Sequence, residues 1–316
     1  MMARRVTIVG ASGFIGRYVV KRLAAEGAVI CAMSRHARDA GFLRPMGDVG
    51  QVATFDADIN DERALAAVIA GSDVVINSVG ILSERGKQTF EALHHQGPAR
   101  LARLAKAAGV RHFVHISSIS ADSTAPAAYA RTKAAGEAAI RAAFADAVIL
   151  RPALVFGPED SFFNRFAAMA RYLPALPLIG GGHTKFQPVY VGDVAAAVAA
   201  VLSRADASGK TYELAGPAVF DLRQLFALML HVIGRNRLLI SVPFGLASFE
   251  AFFLELLPKP LLTRDQVRLL KHDAVAKAGA PGLAELGIAP ESLELVLPTY
   301  LDRYRRAGRT LGVRHA

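Results

Sequence analysis

The chain has 316 residues, a net charge of +10 and 53% hydrophobic residues, which is enough for a large buried core. The single cysteine, Cys31, excludes an intramolecular disulfide framework and a multi-cysteine metal site, and it indicates a reducing compartment. We expect no signal peptide, because no apolar h-region follows Arg4 and Arg5 before the glycine-rich turn. We also expect no membrane-spanning helix, because the nearest apolar stretch, residues 238–257, is broken by Pro243 and carries Glu250 and Glu255.

The basic residues are scattered and form no extended Lys/Arg tract with interleaved aromatic residues. We therefore expect no nucleic-acid partner. The nine histidines show no ligand spacing, so no metal site is expected either. A basic surface suits docking onto a membrane-attached assembly, including contact with anionic lipid.

In the first half, short β-branched runs alternate with longer Ala/Leu-rich stretches. The runs predict strands over residues 5–9, 29–34, 52–56, 74–79, 112–117 and 147–151, and the stretches predict helices over 15–26, 61–70, 90–108 and 129–144. Strands that are apolar along their whole length are buried on both faces. The pattern predicts an α/β fold with a doubly wound parallel sheet, the NAD(P)-binding Rossmann type.

The alternation stops after residue 151. Pro and Gly cluster between residues 157 and 188, and helical patterns dominate beyond residue 194. We therefore expect a nucleotide-binding domain over residues 1–156, with one strand returning near 211–215. Residues 157–316 are predicted to form a smaller, mostly helical lobe over the carboxyl ends of the strands.

A glycine-rich turn lies directly between the first predicted strand and the first predicted helix. It reads Gly10-Ala11-Ser12-Gly13-Phe14-Ile15-Gly16. Glycines at these points let the backbone turn tightly, approach a pyrophosphate closely and pack the helix on the sheet. The pyrophosphate would then lie against the free amides and the positive dipole of a helix N-terminus. We predict that residues of this turn bind the cofactor: Gly10, Ser12, Gly13, Phe14, Ile15 and Gly16.

The end of the second strand selects between the two nicotinamide cofactors. An acidic residue there would bind the ribose 2′-hydroxyl of NAD. This chain instead has Ser34, Arg35 and His36, with Arg38 close behind. Hydroxyl and guanidinium donors suit a 2′-phosphate, which a carboxylate would repel. The predicted cofactor is therefore NADP(H).

Two further strand ends complete the predicted cofactor site. Asp58 is placed to accept from the adenine amine and Ile59 to pack on the ring, although Asp58 could equally cap the following helix. Ser78, Val79 and Gly80, which follow Asn77, are expected beside the pyrophosphate and ribose.

Tyr129 and Lys133 lie one helical turn apart on the same face. An ammonium nearby would lower the tyrosine pKa, so Tyr129 could exchange a proton with a substrate oxygen while Lys133 holds the nicotinamide ribose. Ser117 or Ser118, at the preceding strand end, would hydrogen-bond the same oxygen. The four residues are catalytic candidates, but the pattern indicates architecture and cofactor contact more directly than turnover.

Together these residues resemble the extended and atypical short-chain dehydrogenase/reductases. Downstream landmarks of that superfamily are also similar: Arg151-Pro152, Phe156-Gly157-Pro158 and the segment Gln187-Pro188-Val189-Tyr190-Val191-Gly192-Asp193-Val194. The resemblance implies an NAD(P)-binding fold and cofactor contact by Pro152. If the chain is an enzyme of this type, the resemblance implies an NADPH-dependent oxidoreductase or a sugar-nucleotide epimerase or dehydratase. Such an enzyme would use Tyr129 and Lys133 in catalysis.

One branch is more similar still, the NADPH-binding accessory subunits of respiratory complex I. The segments that resemble it include Leu150 to Asp160, Phe163-Asn164-Arg165-Phe166, Leu262-Thr263-Arg264-Asp265-Gln266-Val267 and Gly282-Leu283-Ala284-Glu285-Leu286-Gly287-Ile288. The resemblance implies a structural NADPH outside the electron chain and other complex I subunits as partners. It also implies a peripheral location on the inner face of an energy-transducing membrane, where the two arms of the complex meet.

Active epimerases usually present an Asn on the long helix where this chain has His94. Losing that Asn would remove an amide that bridges backbone groups and supports proton transfer. Glu91 and Glu137 are expected to cap or solvate their helices.

The second half contains a conspicuous apolar stripe. It comprises Phe249, Phe252, Phe253, Leu256 and Leu257. Such stripes usually pack inward, so the core of the smaller lobe is the favoured interpretation. Five large side chains so close together also suit a hydrophobic docking surface.

Overall fold

The computed structural model describes residues 4–257 and 260–305, and the chain divides into two compact units. Unit 1 comprises Met1–Pro152, Gly192–Leu214 and Lys277–Ala289. Unit 2 comprises Ala153–Val191, Ala215–Ala276 and Pro290–Ala316. Each unit therefore draws on three separate stretches of chain.

The strands in chain order are β1 Arg5–Val9, β2 Val29–Ser34, β3 Val52–Asp56, β4 Val74–Asn77, β5 His112–Ile116, β6 Val148–Pro152, β7 Val155–Phe156, β8 Ala175–Ile179, β9 Lys185–Phe186, β10 Val189–Tyr190, β11 Thr211–Leu214, β12 Phe220–Asp221 and β13 Leu238–Val242. The helices are α1 Phe14–Ala25, α2 Glu62–Ile69, α3 Gly97–Ala107, α4 Ala128–Ala143, α5 Phe163–Tyr172, α6 Val191–Ser203, α7 Leu222–Val232, α8 Phe244–Leu254, α9 Arg264–Leu269 and α10 Leu293–Leu301.

Unit 1 is organised around a seven-stranded sheet with the order β3-β2-β1-β4-β5-β6-β11. Every neighbouring pair is parallel. The strand order reverses between β1 and β4, so the crevice beyond their carboxyl ends is the expected ligand position in such a sheet. The predicted doubly wound Rossmann fold is confirmed, and β11 is the strand that returns near residue 211.

The long helix predicted over residues 90–108 is not uniform. Glu91–Gln96 form a π-helical turn, in which the amide of Gly97 donates to the carbonyl of Ala92, and regular α3 follows. Pro98 explains the change, because a proline ring inside an α-helix clashes with the carbonyl four residues earlier, here that of His94. The wider turn gives this carbonyl room, and π turns of this kind often occur at functional sites.

A large cluster of buried side chains packs one face of the sheet against the helices. It includes Val9, Leu65, Leu101, Phe113 and Ile140, each no more than 1% exposed. Cys31 belongs to this cluster as a free thiol, as expected for a small buried hydrophobe. The apolar runs that predicted the strands are thus the core of unit 1.

Unit 2 contains three two-stranded sheets and helices α5 and α7–α10. Phe156, Phe163, Phe226 and Leu297 form the centre of its core and are fully buried. Among the described residues, no helix is both long enough and apolar enough to cross a bilayer.

The apolar stripe of residues 249–257 lies on α8 and the turn after it. The interpretation as core is wrong, because all five side chains are exposed: Phe249 by 63%, Phe252 by 49%, Phe253 by 53%, Leu256 by 77% and Leu257 by 46%. The helix is buried instead through Ala247 and Ala251.

Candidate nucleotide site

The glycine turn between β1 and α1 leaves no room for a side chain at Gly10 or Gly16. Gly10 has a φ of +84°, a conformation that favours glycine, and a Cβ there would lie 3.1 Å from the Ser78 backbone. A Cβ on Gly16 would lie 2.3 Å from the carbonyl oxygen of Gly10. Gly13 closes the turn by donating its amide to the same carbonyl at 3.0 Å. The turn therefore brings bare backbone to the edge of the sheet.

Helix α1 begins directly behind this turn. Its N-cap is Gly13, no side chain caps its first turn, and no acidic residue lies there. Phe14 and Ile15, the next two residues, are half-buried. The first amides of a helix have no partner within it, and together with the helix dipole they attract an anion. A cradle of glycines ahead of an uncapped helix fits a pyrophosphate.

The end of β2 carries hydroxyl and cationic groups. The Ser34 and Ser12 hydroxyls lie 2.8 Å apart, and Ser34 also accepts from the amide of His36 at 3.4 Å. Ser34 is buried, whereas Arg35, His36 and Arg38 are exposed. The structure thus places all the residues predicted for the 2′-phosphate on one short segment, with the guanidinium groups at the surface.

The turn after β3 differs from expectation in one respect. Asp61, not Asp58, caps helix α2 by accepting from the amide of Ala64, while Asp58 accepts from the amide of Asn60 at 2.8 Å. The alternative role of Asp58 as a helix cap is therefore wrong. Ile59 is only 3% exposed and packs in the core. Its adenine contact stays a prediction.

Strand β4 ends in a turn that Asn77 organises. Its side-chain oxygen accepts from the amide of Val79 at 3.1 Å, and its amide nitrogen lies 3.1 Å from Nδ1 of His115. Ser78 donates its hydroxyl to the carbonyl of Val9 at 2.9 Å, which ties the turn to β1. A Cβ on Gly80 would lie 3.3 Å from Nζ of Lys133. Gly80 therefore leaves space beside the buried ammonium.

The structure distinguishes between the two candidate serines. The Ser118 hydroxyl forms a hydrogen bond with the Tyr129 phenol. Ser117 is buried and donates to the carboxylate of Glu137. Ser118 is thus in contact with Tyr129, whereas Ser117 is bound to Glu137.

The protonation of Tyr129 and Lys133 is set by burial. Burial raises the pKa of Tyr129, and the bond from Ser118 offsets the rise in part. The expectation of a lowered tyrosine pKa is therefore wrong for this structure. Burial also lowers the pKa of Lys133 to about 8, against the opposing charge of Glu137. The Lys133 ammonium donates to the carbonyl of Ile116 at 3.4 Å.

The sequence predicts that Glu137 caps or solvates its helix, but in the structure Glu137 is part of a buried ion-pair network. Arg151 donates to both its carboxylate oxygens, at 2.9 Å from Nε and 2.6 Å from a terminal nitrogen. A second carboxylate, Glu213, lies 3.8 Å from Arg151. Glu91, in contrast, is half-exposed and pairs with His95 at 2.7 Å. The network joins α4, β6 and β11.

His94 forms hydrogen bonds with two separate segments of the site. Its Nε2 accepts from the amide of Ile81 at 3.1 Å, and its Nδ1 lies 3.4 Å from the Thr132 hydroxyl. Burial and the charge of Lys133 lower the His94 pKa to about 2, so the ring is neutral. An imidazole thus connects the turn after β4 to α4, and the expected loss of support for proton transfer stays a prediction.

Aromatic rings fix this histidine next to Tyr129. His94 stacks on Phe90, with 5.3 Å between the ring centroids, and meets Tyr129 edge-on at 5.2 Å. The carbonyl of His94 also approaches α4 so closely that a Cβ on Gly136 would lie 1.9 Å from it. The π-helical turn and Gly136 together allow the His94 imidazole to lie against Tyr129.

Two buried polar groups of the site were not identified from the sequence. His115 is fully buried, and its Nε2 has no hydrogen-bond partner among the described residues. Glu137, expected to cap or solvate its helix, is also buried. Both could have been suspected, because His115 and Arg151 interrupt apolar strands, where a polar side chain needs a partner.

Pro152 ends β6, and its carbonyl accepts from the amide of Ile119 at 3.0 Å. It is thus buried at the same strand end as the other residues of the site. Its cofactor contact stays a prediction. The described residues contain no group of three or more His, Cys, Asp or Glu side chains suited to a metal.

The parallel sheet, the glycine cradle and the Ser-Tyr-Lys group define a dinucleotide-binding protein of the short-chain dehydrogenase/reductase type. The chain belongs to the NAD dependent epimerase/dehydratase family, which it matches over residues 6–215.

Its relatives point to a more specific group. It is 37% identical to the Arabidopsis thaliana protein "NADH dehydrogenase [ubiquinone] 1 alpha subcomplex subunit 9, mitochondrial", with 97% of this chain and 79% of that protein covered. It is 30% identical to the Neurospora crassa "NADH-ubiquinone oxidoreductase 40 kDa subunit, mitochondrial", with 95% and 79% covered. Among solved structures, a Streptomyces venezuelae dTDP-glucose 4,6-dehydratase with bound NAD superposes with a TM-score of 0.72 at 21% identity, covering 95% of this chain and 96% of that one.

Proposed function

We propose that unit 1 binds NADPH. The glycine cradle and the uncapped N-terminus of α1 would hold the pyrophosphate, and Arg35 and Arg38 would hold the 2′-phosphate. Ser78, Val79 and Gly80 would flank the ribose and pyrophosphate, while Lys133 would reach the nicotinamide ribose. The exposed guanidinium groups at the end of β2 carry the preference for NADPH over NADH.

We infer that the protein is an accessory subunit of respiratory complex I. The observation that carries this proposal is the extent of the similarity: relatives named as complex I subunits match about 95% of this chain, unit 2 included. A nucleotide-binding domain alone would account for similarity in unit 1 only. The bound NADPH then has a stabilising role and lies outside the electron chain.

The location follows from the same proposal. A subunit of a membrane-bound complex that has no spanning helix among its described residues would be peripheral. We place it on the inner face of the energy-transducing membrane, at the junction of the two arms. Other complex I subunits are its partners, and the net charge of +10 favours additional contact with anionic lipid.

The decisive experiment is a pull-down of the tagged chain from solubilised membranes of its own source. Recovery of other complex I subunits, with near-stoichiometric NADPH that exchanges slowly, is the expected result. An unrelated tagged Rossmann protein serves as the control. A chain recovered alone as a soluble monomer, with rapid nucleotide exchange, would contradict the proposal.

A second function is favoured by the intact group around Tyr129. Ser118 forms a hydrogen bond with the phenol, and Lys133 lies next to Gly80 with a pKa near 8. An NADPH-dependent oxidoreductase or a sugar-nucleotide epimerase or dehydratase would need this arrangement. If a carbonyl substrate is reduced at about 1 per second or faster, and Tyr129→Phe abolishes the reaction while leaving NADPH binding intact, this alternative is correct.

A further inference from the structure

The arrangement of side chains on α8 is reversed relative to that of an ordinary surface helix. Only Ala247 and Ala251 are buried, and they pack with Ile179 and Val267. Most of the large side chains of α8 and of the residues that follow it point outward. Seven are exposed by 46% or more: Leu246, Phe249, Phe252, Phe253, Leu256, Leu257 and Leu261. We call these seven residues the α8 surface.

Such a surface calls for an apolar environment outside the chain. Helices of soluble proteins turn their large apolar residues toward the core, since their exposure to water is unfavourable. Here Ala247 and Ala251 take the buried positions, and Phe249, Phe252 and Phe253 take outer ones. Contiguous exposed patches of this kind mark interaction sites with proteins or membranes.

The chemistry of the patch favours lipid over protein. Residues 244–257 contain three polar side chains, Ser248, Glu250 and Glu255. Ser248 donates to the carbonyl of Phe244, and Glu255 accepts from the amide and side chain of Arg264. A protein interface normally carries several hydrogen bonds across it, whereas hydrocarbon needs none.

Cations lie against the aromatic rings of α8. The Arg264 guanidinium is 5.2 Å from the centroid of the Phe252 ring, and the Lys271 ammonium is 5.6 Å from that of Phe244. Both basic residues are exposed, as is Arg268 on the same segment. Aromatic and aliphatic side chains flanked by Arg and Lys are typical of segments that enter the boundary between headgroups and acyl chains of anionic membranes.

We propose that the α8 surface docks on an anionic lipid bilayer, with its phenylalanines and leucines in the acyl boundary and Arg264 and Lys271 at the headgroups. The surface lies flat on the membrane, because α8 has only 11 residues and cannot span it. This proposal gives the proposed complex I subunit a direct lipid contact, but the contact itself needs no other subunit.

The test is flotation of the full chain, loaded with NADPH, with vesicles of phosphatidylcholine alone or mixed with phosphatidylglycerol. We expect binding to the mixed vesicles and weaker, salt-insensitive binding to phosphatidylcholine. Each of Phe249→Ser and Phe253→Ser should weaken binding about tenfold. Arg264→Gln with Lys271→Gln should remove most of the dependence on phosphatidylglycerol.

Leu295→Ser is the matched control, because Leu295 is an exposed apolar residue of unit 2 on a different helix, α10. It should bind vesicles like the wild type, and the α8 variants should keep wild-type circular dichroism and melting. Two results would overturn the proposal: no binding of the wild type to either vesicle, or equal binding by the α8 variants. Loss of co-purifying subunits in the α8 variants without loss of vesicle binding would show a protein interface instead. Because vesicles contain no complex I, failure here and failure of the pull-down are separate outcomes.

Discussion

At the residue scale, the site shows how burial determines protonation more strongly than sequence neighbours do. Lys133 follows Tyr129 by one turn, which predicted a lowered tyrosine pKa. The structure has the opposite shift, since the desolvation of the Tyr129 phenol is the larger effect. Spacing identified the residues correctly, but the balance between desolvation and charge depends on depth, which spacing does not give.

The spacing of residues on α4 also predicts the position of Glu137. Tyr129, Lys133 and Glu137 follow one another at intervals of four and therefore lie on one helix face. If the first two face the site, so does Glu137, and the charge of Arg151 inside an apolar strand points to its partner. Which of Ser117 and Ser118 contacts Tyr129, in contrast, depends on the turn after β5 and required the structure.

Replacing His94 should make the protein less sensitive to acid. Its pKa is about 2 in the folded chain and about 6.5 when unfolded, so below about pH 6.5 the unfolded state binds the additional proton. Stability therefore falls as the pH falls through this window. Between about pH 7.5 and 5.5, the unfolding free energy of His94→Asn should drop by about 1.4 kcal/mol less than that of the wild type. Urea unfolding of both proteins at the two pH values measures this difference.

The exposed His272→Asn is the control and should show the wild-type acid dependence. An identical dependence in His94→Asn would mean that His94 is protonated in the folded protein.

Removing the Arg35 guanidinium should change cofactor preference. Hydrogen bonds to charged groups contribute about 1.5–3 kcal/mol, so Arg35→Ala should weaken NADPH binding by about ten- to a hundredfold and leave NADH binding unchanged. Calorimetric titration with both nucleotides measures this. Lys21→Ala removes an exposed charge from α1 and should leave both affinities unchanged. Equal losses for NADPH and NADH in Arg35→Ala would exclude a 2′-phosphate contact.

At the element scale, the strands and helices of unit 1 were predictable because each type has a strong pattern in the sequence. Continuous apolar runs identify strands buried on both faces, and the helices between them have clear apolar periodicity. The π-helical turn at Glu91–Gln96 was not predictable, because it results from Pro98 together with the approach of α4. The α8 surface was misassigned for a related reason: a stripe in the sequence does not say which side of the helix meets the core.

The contact between the π-helical turn and α4 depends on a glycine. Gly136→Ala would place a Cβ 1.9 Å from the backbone oxygen of His94, so the two helices must separate. We expect a loss of at least about 3 kcal/mol in unfolding free energy, at or above the usual cost of overpacking. Denaturant unfolding monitored by circular dichroism measures it.

Gly245→Ala is the matched helical control, because a Cβ there meets no atom within 4 Å. It should be neutral or stabilising by up to about 1 kcal/mol. A Gly136→Ala variant as stable as this control would show that α4 has space to move away.

At the scale of the whole molecule, the fold class followed from the order of elements, but the interleaving of the two units did not. Sequence patterns place one boundary where strand–helix alternation ends. The structure returns residues 192–214 and 277–289 to unit 1, and these returns depend on pairing between distant segments. The amide of Glu213, for example, donates to the carbonyl of Pro281 at 2.8 Å.

Nucleotide binding should stabilise the folded chain, because the nucleotide binds the folded state and not the unfolded one. NADPH at a hundredfold excess over its Kd should add about 2.7 kcal/mol to the unfolding free energy. The melting temperature should therefore rise with NADPH and rise less with NADH at the same concentration. Differential scanning fluorimetry with ATP as a control polyanion measures this. A melting temperature that no dinucleotide shifts would contradict the cofactor assignment.

The position of β11 at the end of the sheet also has a consequence for biosynthesis. Until residues 211–214 have left the ribosome, β6 has an open hydrogen-bonding edge beside a hydrophobic sheet. A nascent chain whose residues up to about 200 have left the ribosome would therefore expose an aggregation-prone sheet edge and should recruit chaperones. Emergence of residues 211–214 should end that exposure.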